Sequence, residues 1–146
     1  MLDTWTGEEM QVFISCVKSK KNHKTTAEKM YTSSLFKGSL AYAKKLTNRE
    51  NIYILSAKYG VLRLDDEIYP YEKTLKTMTE KEKKKWAYMC YKQLTKMNVD
   101  FDKKTVFLCG KEYRKYLIQL FSDTEVPLKN MGLGKQLKFY KEKGYL

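Results

Sequence analysis

Two segments of the chain carry hydroxyl, thiol and amine side chains directly after an apolar run. Residues 13–20 read FISCVKSK, and residues 52–60 read IYILSAKYG. In open α/β sheets, ligands bind in the crevice at the carboxyl ends of the strands. Two strand ends with hydroxyls and lysines therefore predict one shared site, suited to an anionic or carbonyl-bearing group.

Cys16 is the candidate nucleophile of the first segment, because the positive charges of Lys18 and Lys20 would favour its thiolate. Packing at a strand end is the alternative use of this small side chain. The chain has a single histidine, so a lysine would have to act as the base. Together with Ser15 and Ser19, the two lysines also resemble an anion cradle.

The start of the next predicted helix offers further polar groups. Tyr31, Ser33 and Ser34 could complete an oxyanion or phosphate pocket at the positive end of that helix. Simple helix capping is the alternative for the two serines. Ser56, at the end of the second strand, is assigned to the same pocket.

Acid and base groups follow the second strand. Lys58 near the carboxylates of Asp65 and Asp66 could transfer protons, with burial and charge setting the pKa values. Capping of a turn is the commoner use of such aspartates. Tyr59 and Tyr71 could present rings for base stacking, or they could be core residues with a solvated hydroxyl. We include the adjoining Gly60 in the predicted binding set.

The overall charge favours a polyanionic partner. The chain has a formal net charge of +12, and 29 of its 146 residues are basic. Lysine and arginine contacts to phosphate are the main source of nucleic-acid affinity. Because nearly all of these residues are lysines, a merely solvated surface is the alternative. We predict a nucleic-acid partner, with DNA as the favoured choice.

Composition also limits the class of protein to which the chain can belong. A 146-residue chain with 42% hydrophobic residues fits one globular domain. We expect a cytoplasmic protein without a membrane partner, because no apolar run is long enough for a span and residues 1–9 lack the layout of a signal peptide. Three widely spaced cysteines without a CxxC pair predict neither a disulfide framework nor a zinc site. We expect no metal and no cofactor.

Hydrophobic periodicity predicts alternating strands and helices. Strands are expected at residues 10–17, 51–56 and 105–109, and a short extended piece at 125–128. Helices are expected at 27–46 (interrupted at 32–34), 78–97, 111–121 and 135–143, with a structured loop at 59–71. This alternation predicts a single-domain α/β fold over residues 1–146, with a mostly parallel sheet and helices on both faces.

Four motifs in this order resemble the YaaA peroxide-stress family, and most closely a group of small bacterial and phage domains related to it. They are SCVKSK at residues 15–20, MYTSSLF at 30–36, LSAKYGVL at 55–62 and GLGKQL at 132–137. The similarity covers residues 10–140. It implies functional roles for the residues at Ser15, Cys16, Lys18, Lys20, Tyr31, Ser33, Ser56, Lys58, Tyr59, Gly60, Asp65 or Asp66, and Tyr71.

The resemblance also implies a field of function. YaaA proteins are associated with DNA binding and protection from oxidative damage, and relatives are linked to deazaguanine modification of DNA. A motif of archaeosine synthase is similar to residues 16–33, but it has proline where this chain has Met30, and its spacing is shorter. The lysine-ligation chemistry of that enzyme is therefore not carried over.

These observations predict a DNA-binding protein that acts on a nucleobase, by a glycosylase, transglycosylase or base-modification type of reaction. Two alternatives remain open. The chain could be a non-catalytic DNA-binding stress or phage accessory protein, whose lysines contact phosphate. It could also bind a free nucleotide-type ligand in the crevice.

Overall fold

A computed structural model describes residues 10–146, and its centre is a five-stranded sheet. The prediction made for residues 1–9 lies outside the described residues. The strands are β1 (Gln11–Ser15), β2 (Thr25–Thr26), β3 (Ile52–Ser56), β4 (Gly60–Arg63), β5 (Glu67–Ile68), β6 (Lys104–Leu108) and β7 (Asp123–Glu125). The sheet has the order β4-β3-β1-β6-β7, in which β4 is antiparallel to β3 and the other neighbours are parallel. β2 and β5 form a separate antiparallel pair.

Helices cover the sheet on both sides. They are α1 (Ala27–Met30), α2 (Ser34–Leu46), α3 (Glu80–Lys96), α4 (Lys111–Arg114) and α5 (Leu133–Glu142). From β1 the chain moves to one side of the sheet for β3, and then to the other side for β6. Right-handed crossovers in opposite directions place α2 and α3 on opposite faces. The predicted mostly parallel α/β fold is confirmed.

The two long crossover helices begin as their sequences predict. Ser33 caps α2 by accepting a hydrogen bond from the Phe36 amide at 3.2 Å. Thr79 and Glu82 form a reciprocal capping box at the start of α3. Such caps satisfy amides that have no partner within the helix.

The core is built from aromatic rings on one face of the sheet and a close helix contact on the other. The Phe13 ring stacks on Tyr53 at 5.2 Å and on Phe107 at 5.3 Å between ring centroids. On the α2 side, Gly38 lets α5 approach, because a Cβ at this position would lie 2.5 Å from Cδ2 of the Tyr140 ring. This packing fixes the strands whose ends carry the predicted site.

Three local predictions were wrong. Residues 59–71 were expected to form a loop, but they contain β4 and β5. β4 was missed because it is a four-residue edge strand whose first three residues are all buried, so it shows no alternation. The helix expected at 111–121 is limited to α4, followed by a 3-10 turn at Ile118–Leu120. The extended piece expected at 125–128 was also misplaced: β7 is at Asp123–Glu125, and a turn follows at 127–130.

Within residues 10–146, no helix combines the length and apolar character that crossing a membrane requires.

Candidate active site

The crevice lies at the carboxyl ends of β1 and β3, which are adjacent and parallel. The Cys16 amide donates to the Leu55 carbonyl at 2.9 Å, so the two strand ends stay together up to their last residues. This pairing sets Cys16 beside the chain segment that carries Ser56. The predicted meeting of the two motifs is therefore present in the structure.

A chain of three hydroxyls forms the floor of the crevice. The buried Ser56 hydroxyl donates to the Tyr71 hydroxyl at 2.8 Å, and the Tyr71 and Tyr31 hydroxyls lie 2.7 Å apart. Burial raises the pKa of Tyr31 and of Tyr71 above the ordinary tyrosine value. Both groups therefore remain protonated and act as hydrogen-bond donors and acceptors rather than as charges.

Ser56 also shapes the turn between β3 and β4. Its hydroxyl accepts from the amides of Lys58 and Tyr59, at 3.2 and 3.0 Å. The Ser56 carbonyl accepts from the Trp86 indole at 2.9 Å, which anchors this strand end to α3. The Ser56 side chain therefore stabilises both the chain of hydroxyls and the turn between β3 and β4.

Lys20 covers the hydroxyl chain. A β-bridge joins Lys20 to Tyr31 and brings the polar loop back over the crevice. The Lys20 ammonium lies 4.5 Å from the centroid of the Tyr71 ring and 5.8 Å from that of Tyr31. Burial lowers the pKa of Lys20, and this effect is opposed by attraction to Cys16 and Glu72. Lys20 is therefore an amine held over an aromatic face at the sheet edge.

An open cavity of about 330 Å³ adjoins Lys20 and Tyr71. Its lining residues are Lys18, Lys20, Lys21, Asn22, Pro70, Tyr71 and Glu72. Three lysines and one aromatic ring around one opening suit a ligand that carries both an anionic group and a flat ring.

Tyr113 is a member of the site that the sequence analysis missed. The Cys16 thiol donates to the Tyr113 hydroxyl at 3.4 Å, and the Leu75 amide approaches the same oxygen at 3.4 Å. Burial raises the pKa of Tyr113, so its hydroxyl stays protonated. Only the strand order points to Tyr113. β6 is the second neighbour of β1, and the direction in which strands are added to the sheet reverses between these two strands. Ligands bind at such a reversal in open α/β sheets.

A protein-family model matches the part of the chain that forms the crevice. A model of a family of unknown function, DUF6884, matches residues 12–142. The chain belongs to the DUF6884 family. Every crevice residue described above lies inside the matched range. No curated protein matches the chain.

The remaining residues of the SCVKSK motif, at residues 15–20, lie at the rim of the crevice. Lys18 and Ser19 are exposed, and Ser15 is half-buried at the end of β1. Ser33 is occupied as the cap of α2, and Ser34 is the exposed first residue of that helix. The capping alternative therefore describes Ser33.

The LSAKYGVL motif, at residues 55–62, forms the other wall of the crevice. The Tyr59 ring meets the Tyr71 ring edge-on at 5.6 Å, and the Tyr59 hydroxyl bonds to the backbone of Tyr69. Lys58 is exposed, with its ammonium 5.3 Å from the Tyr59 ring centroid. Gly60 has φ of +80° and makes the sharp turn into β4.

The structure does not bring Asp65 and Asp66 to the crevice. β4 is antiparallel to β3, so its end at Arg63 lies beside Tyr53, near the amino end of β3. Asp65 pairs with Arg49 at 2.7 Å, and the Asp66 carboxylate accepts from the Arg63 amide at 2.8 Å. A proton-transfer partnership with Lys58 has no geometric support, and both aspartates hold the turn after β4.

Among residues 10–146, no group of three or more histidine, cysteine, aspartate or glutamate side chains is arranged to hold a metal ion.

Arg49 also belongs to an ion-pair cluster with Glu28 and Lys44, which we call the clamp. This clamp makes the stability of the fold depend on pH. Glu28 accepts from Lys44 at 2.6 Å and from Arg49 at 2.8 Å. The hydrogen bond from Arg49 lowers the pKa of Glu28 from 4.5 to about 2. Because the folded pKa is below the unfolded one, the clamp stabilises fully above about pH 5, and this contribution is lost as the pH falls towards 2.

We expect Glu28→Gln to lower the free energy of unfolding by about 1 kcal/mol at pH 7. The difference from the wild type should shrink steadily as the pH falls from 5 to 2, in urea unfolding followed by circular dichroism. Glu67→Gln is the control, since its ion pair with Lys24 is long, at 3.4 Å, and exposed; it should cause no measurable change. A difference for Glu28→Gln that is constant over this pH range would contradict the clamp.

Proposed function

We propose that this chain binds DNA and acts on a nucleobase held in the crevice. The observation that carries the proposal is the ammonium of Lys20 over the ring of Tyr71, beside the hydroxyl chain from Ser56 to Tyr31. A nucleobase taken out of the helix needs a flat stacking partner and polar groups for its edges. The crevice has both next to an open cavity.

The side chains of the crevice suggest a division of roles. In base release, the bond between the sugar and the base breaks and Lys20 donates a proton to the departing base. Water adds to the sugar and returns a proton to Lys20. In base exchange, an incoming base takes the place of water. Cys16, hydrogen-bonded to Tyr113 at 3.4 Å, is the candidate covalent nucleophile for either reaction. In that route its proton passes by way of Lys20 to the departing base while the sulfur bonds to the sugar carbon, and water or the incoming base then displaces the sulfur and gives its proton to Lys20.

Charge and motif resemblance support a nucleic-acid substrate. The net charge of +12 favours phosphate contacts. The resemblance to the YaaA peroxide-stress family rests on motifs that include Cys16, Lys20, Tyr31 and Ser56, and these four residues are neighbours in the crevice. The same resemblance implies DNA, and modification of its bases, as the field of activity.

The test is nucleoside analysis by mass spectrometry. Purified protein is incubated with duplex and single-stranded DNA that carries normal, oxidised or hypermodified bases. A released or altered base that disappears with Cys16→Ala or Lys20→Gln would support an enzyme and name its substrate. DNA binding with unchanged nucleosides throughout the panel would leave the non-catalytic alternative for those substrates.

We expect two substitutions of Tyr71 to separate stacking from hydrogen bonding. Tyr71→Phe keeps the ring, so oligonucleotide affinity should stay within about twofold of the wild type. Tyr71→Ala removes the ring and should weaken affinity about fivefold or more. Fluorescence anisotropy measures both, with thermal unfolding as a check on folding. Equal losses for the two variants would assign Tyr71 to hydrogen bonding instead.

The lysine-lined cavity of about 330 Å³ also favours a second candidate, binding of a free nucleotide. This candidate needs the crevice but no extended basic surface. It predicts a rise in melting temperature with mononucleotides in the absence of any DNA affinity.

A further inference from the structure

The exposed side of α3 carries a second basic surface, outside the crevice. A groove of about 460 Å³ lies along it. The residues that line this α3 groove are Lys81, Lys84, Lys85, Tyr88, Met89 and Lys92. Their spacing puts them on one stripe of the helix, so four ammonium groups are spread over about 16 Å of helix length.

The lysines of the α3 groove carry positive charges that no carboxylate of the described residues neutralises in an ion pair, although Lys84 and Lys92 lie over the rings of Tyr116 and Tyr88. Elsewhere on this helix, Lys83 is paired with Glu80 and Glu112. None of the four groove lysines pairs with a carboxylate within residues 10–146. A row of unpaired lysines along a helix suits the regular charge of a phosphate backbone.

Exposed aromatic rings at the groove distinguish the kind of partner. Tyr88, which lines the groove, is 61% exposed, and its ring stacks on that of Tyr91 next to the groove, 40% exposed, at 6.3 Å between centroids. The Lys92 ammonium lies 4.8 Å from the Tyr88 ring centroid. Exposed rings beside lysines are the elements with which proteins hold unpaired bases and their backbone. A duplex or an acidic protein would leave these rings unused.

The α3 groove lies next to the turn between β3 and β4, which carries part of the crevice wall. Trp86, on the buried side of the same stretch of α3, donates to the carbonyl of Ser56. Met89, in the groove wall, packs against Gly60 directly after the turn that carries Lys58 and Tyr59. A strand lying along α3 would therefore run beside the turn that carries Tyr59, whose ring contacts Tyr71 in the crevice.

We propose that the α3 groove binds a single strand of nucleic acid and leads it to the crevice. The inference rests on the proposed function, since the strand is the same substrate. Lysines contact its phosphates and Tyr88 stacks on one of its bases. The chain should therefore bind single-stranded DNA more tightly than duplex DNA of the same sequence.

The test is fluorescence anisotropy of a labelled single-stranded oligodeoxynucleotide over a range of salt concentrations. For the triple variant Lys84→Gln/Lys85→Gln/Lys92→Gln, the slope of log affinity against log salt should fall in magnitude by about 2, with an affinity loss of about tenfold or more. Tyr88→Ala should weaken binding about 5- to 100-fold, and Tyr88→Phe should leave it within about twofold.

The matched control removes three exposed lysines from another helix, in the variant Lys135→Gln/Lys138→Gln/Lys141→Gln on α5. Its slope should stay close to that of the wild type. Equal slopes for the two triple variants, or tighter binding of duplex, would overturn the groove assignment. If base turnover by the wild type persists in that case, the proposed function stands alone. No DNA binding by the wild type would overturn both.

Discussion

Replacing Lys20 by glutamine should lower the rate of the proposed base reaction by at least about a hundredfold, the usual contribution of a positioned proton-transfer group. Lys20 is half-buried and its ammonium lies 4.5 Å from the Tyr71 ring centroid, at the mouth of the cavity. Burial lowers its pKa, so its neutral form is reached at lower pH than for a solvated lysine. Single-turnover kinetics on the substrate found by nucleoside analysis measure the effect.

Lys58→Gln is the informative comparison, because the sequence assigns proton transfer to Lys58 whereas the structure places it in solvent. We expect Lys58→Gln to reduce the rate less than about fivefold. Lys141→Gln controls for the loss of one positive charge at a distance. A large loss with Lys58→Gln and a small one with Lys20→Gln would return the proton-transfer role to Lys58.

Replacing Gly60 by alanine should lower the free energy of unfolding by about 3 kcal/mol, the sum of backbone strain and overpacking. Gly60 has φ of +80°, where a side chain is strained. Its new Cβ would also overlap the Gln93 side-chain oxygen and lie 2.9 Å from Met89 Cε. Urea unfolding measures the loss.

Gly134→Ala is the control for Gly60→Ala. Position 134 is in α5, and nothing lies within 4 Å of where its Cβ would be. Alanine is the better helix former, so this variant should gain up to about 1 kcal/mol. A loss below about 1 kcal/mol for Gly60→Ala would contradict the packing of the turn against α3.

The parts of the fold that local patterns determine could be predicted from the sequence. β1 and β3 are short apolar runs, and α3 begins with a complete capping box. Because parallel strands end at the same edge, their polar ends could also be expected to meet. The neighbouring positions of Cys16, Ser56 and Tyr31 follow from these local signals.

The placement of Asp65 and Asp66 depends on β4, a strand that the sequence pattern does not predict. A loop after β3 could have left both aspartates at the crevice. Because β4 runs antiparallel to β3, it carries them to the opposite edge of the sheet. One missed hairpin therefore changes which carboxylates are available for chemistry.

Tyr113 could not be found by any local pattern. It lies 97 residues from Cys16 in the sequence, and their contact depends on β6 packing beside β1. The polar environment of Lys20 likewise depends on Tyr71, which returns to the crevice only after β4 and β5. These contacts require the strand order, which hydrophobic periodicity does not supply.

Photocrosslinking most directly tests the central claim that a nucleobase enters the crevice. DNA substituted with iododeoxyuridine is irradiated in complex with the full chain, and the attached peptide is identified by mass spectrometry. The account predicts crosslinks to Tyr71 or Tyr59, reduced by excess unlabelled DNA and lost at position 71 in Tyr71→Ala. Crosslinks found only on α5, with none at the crevice, would contradict it.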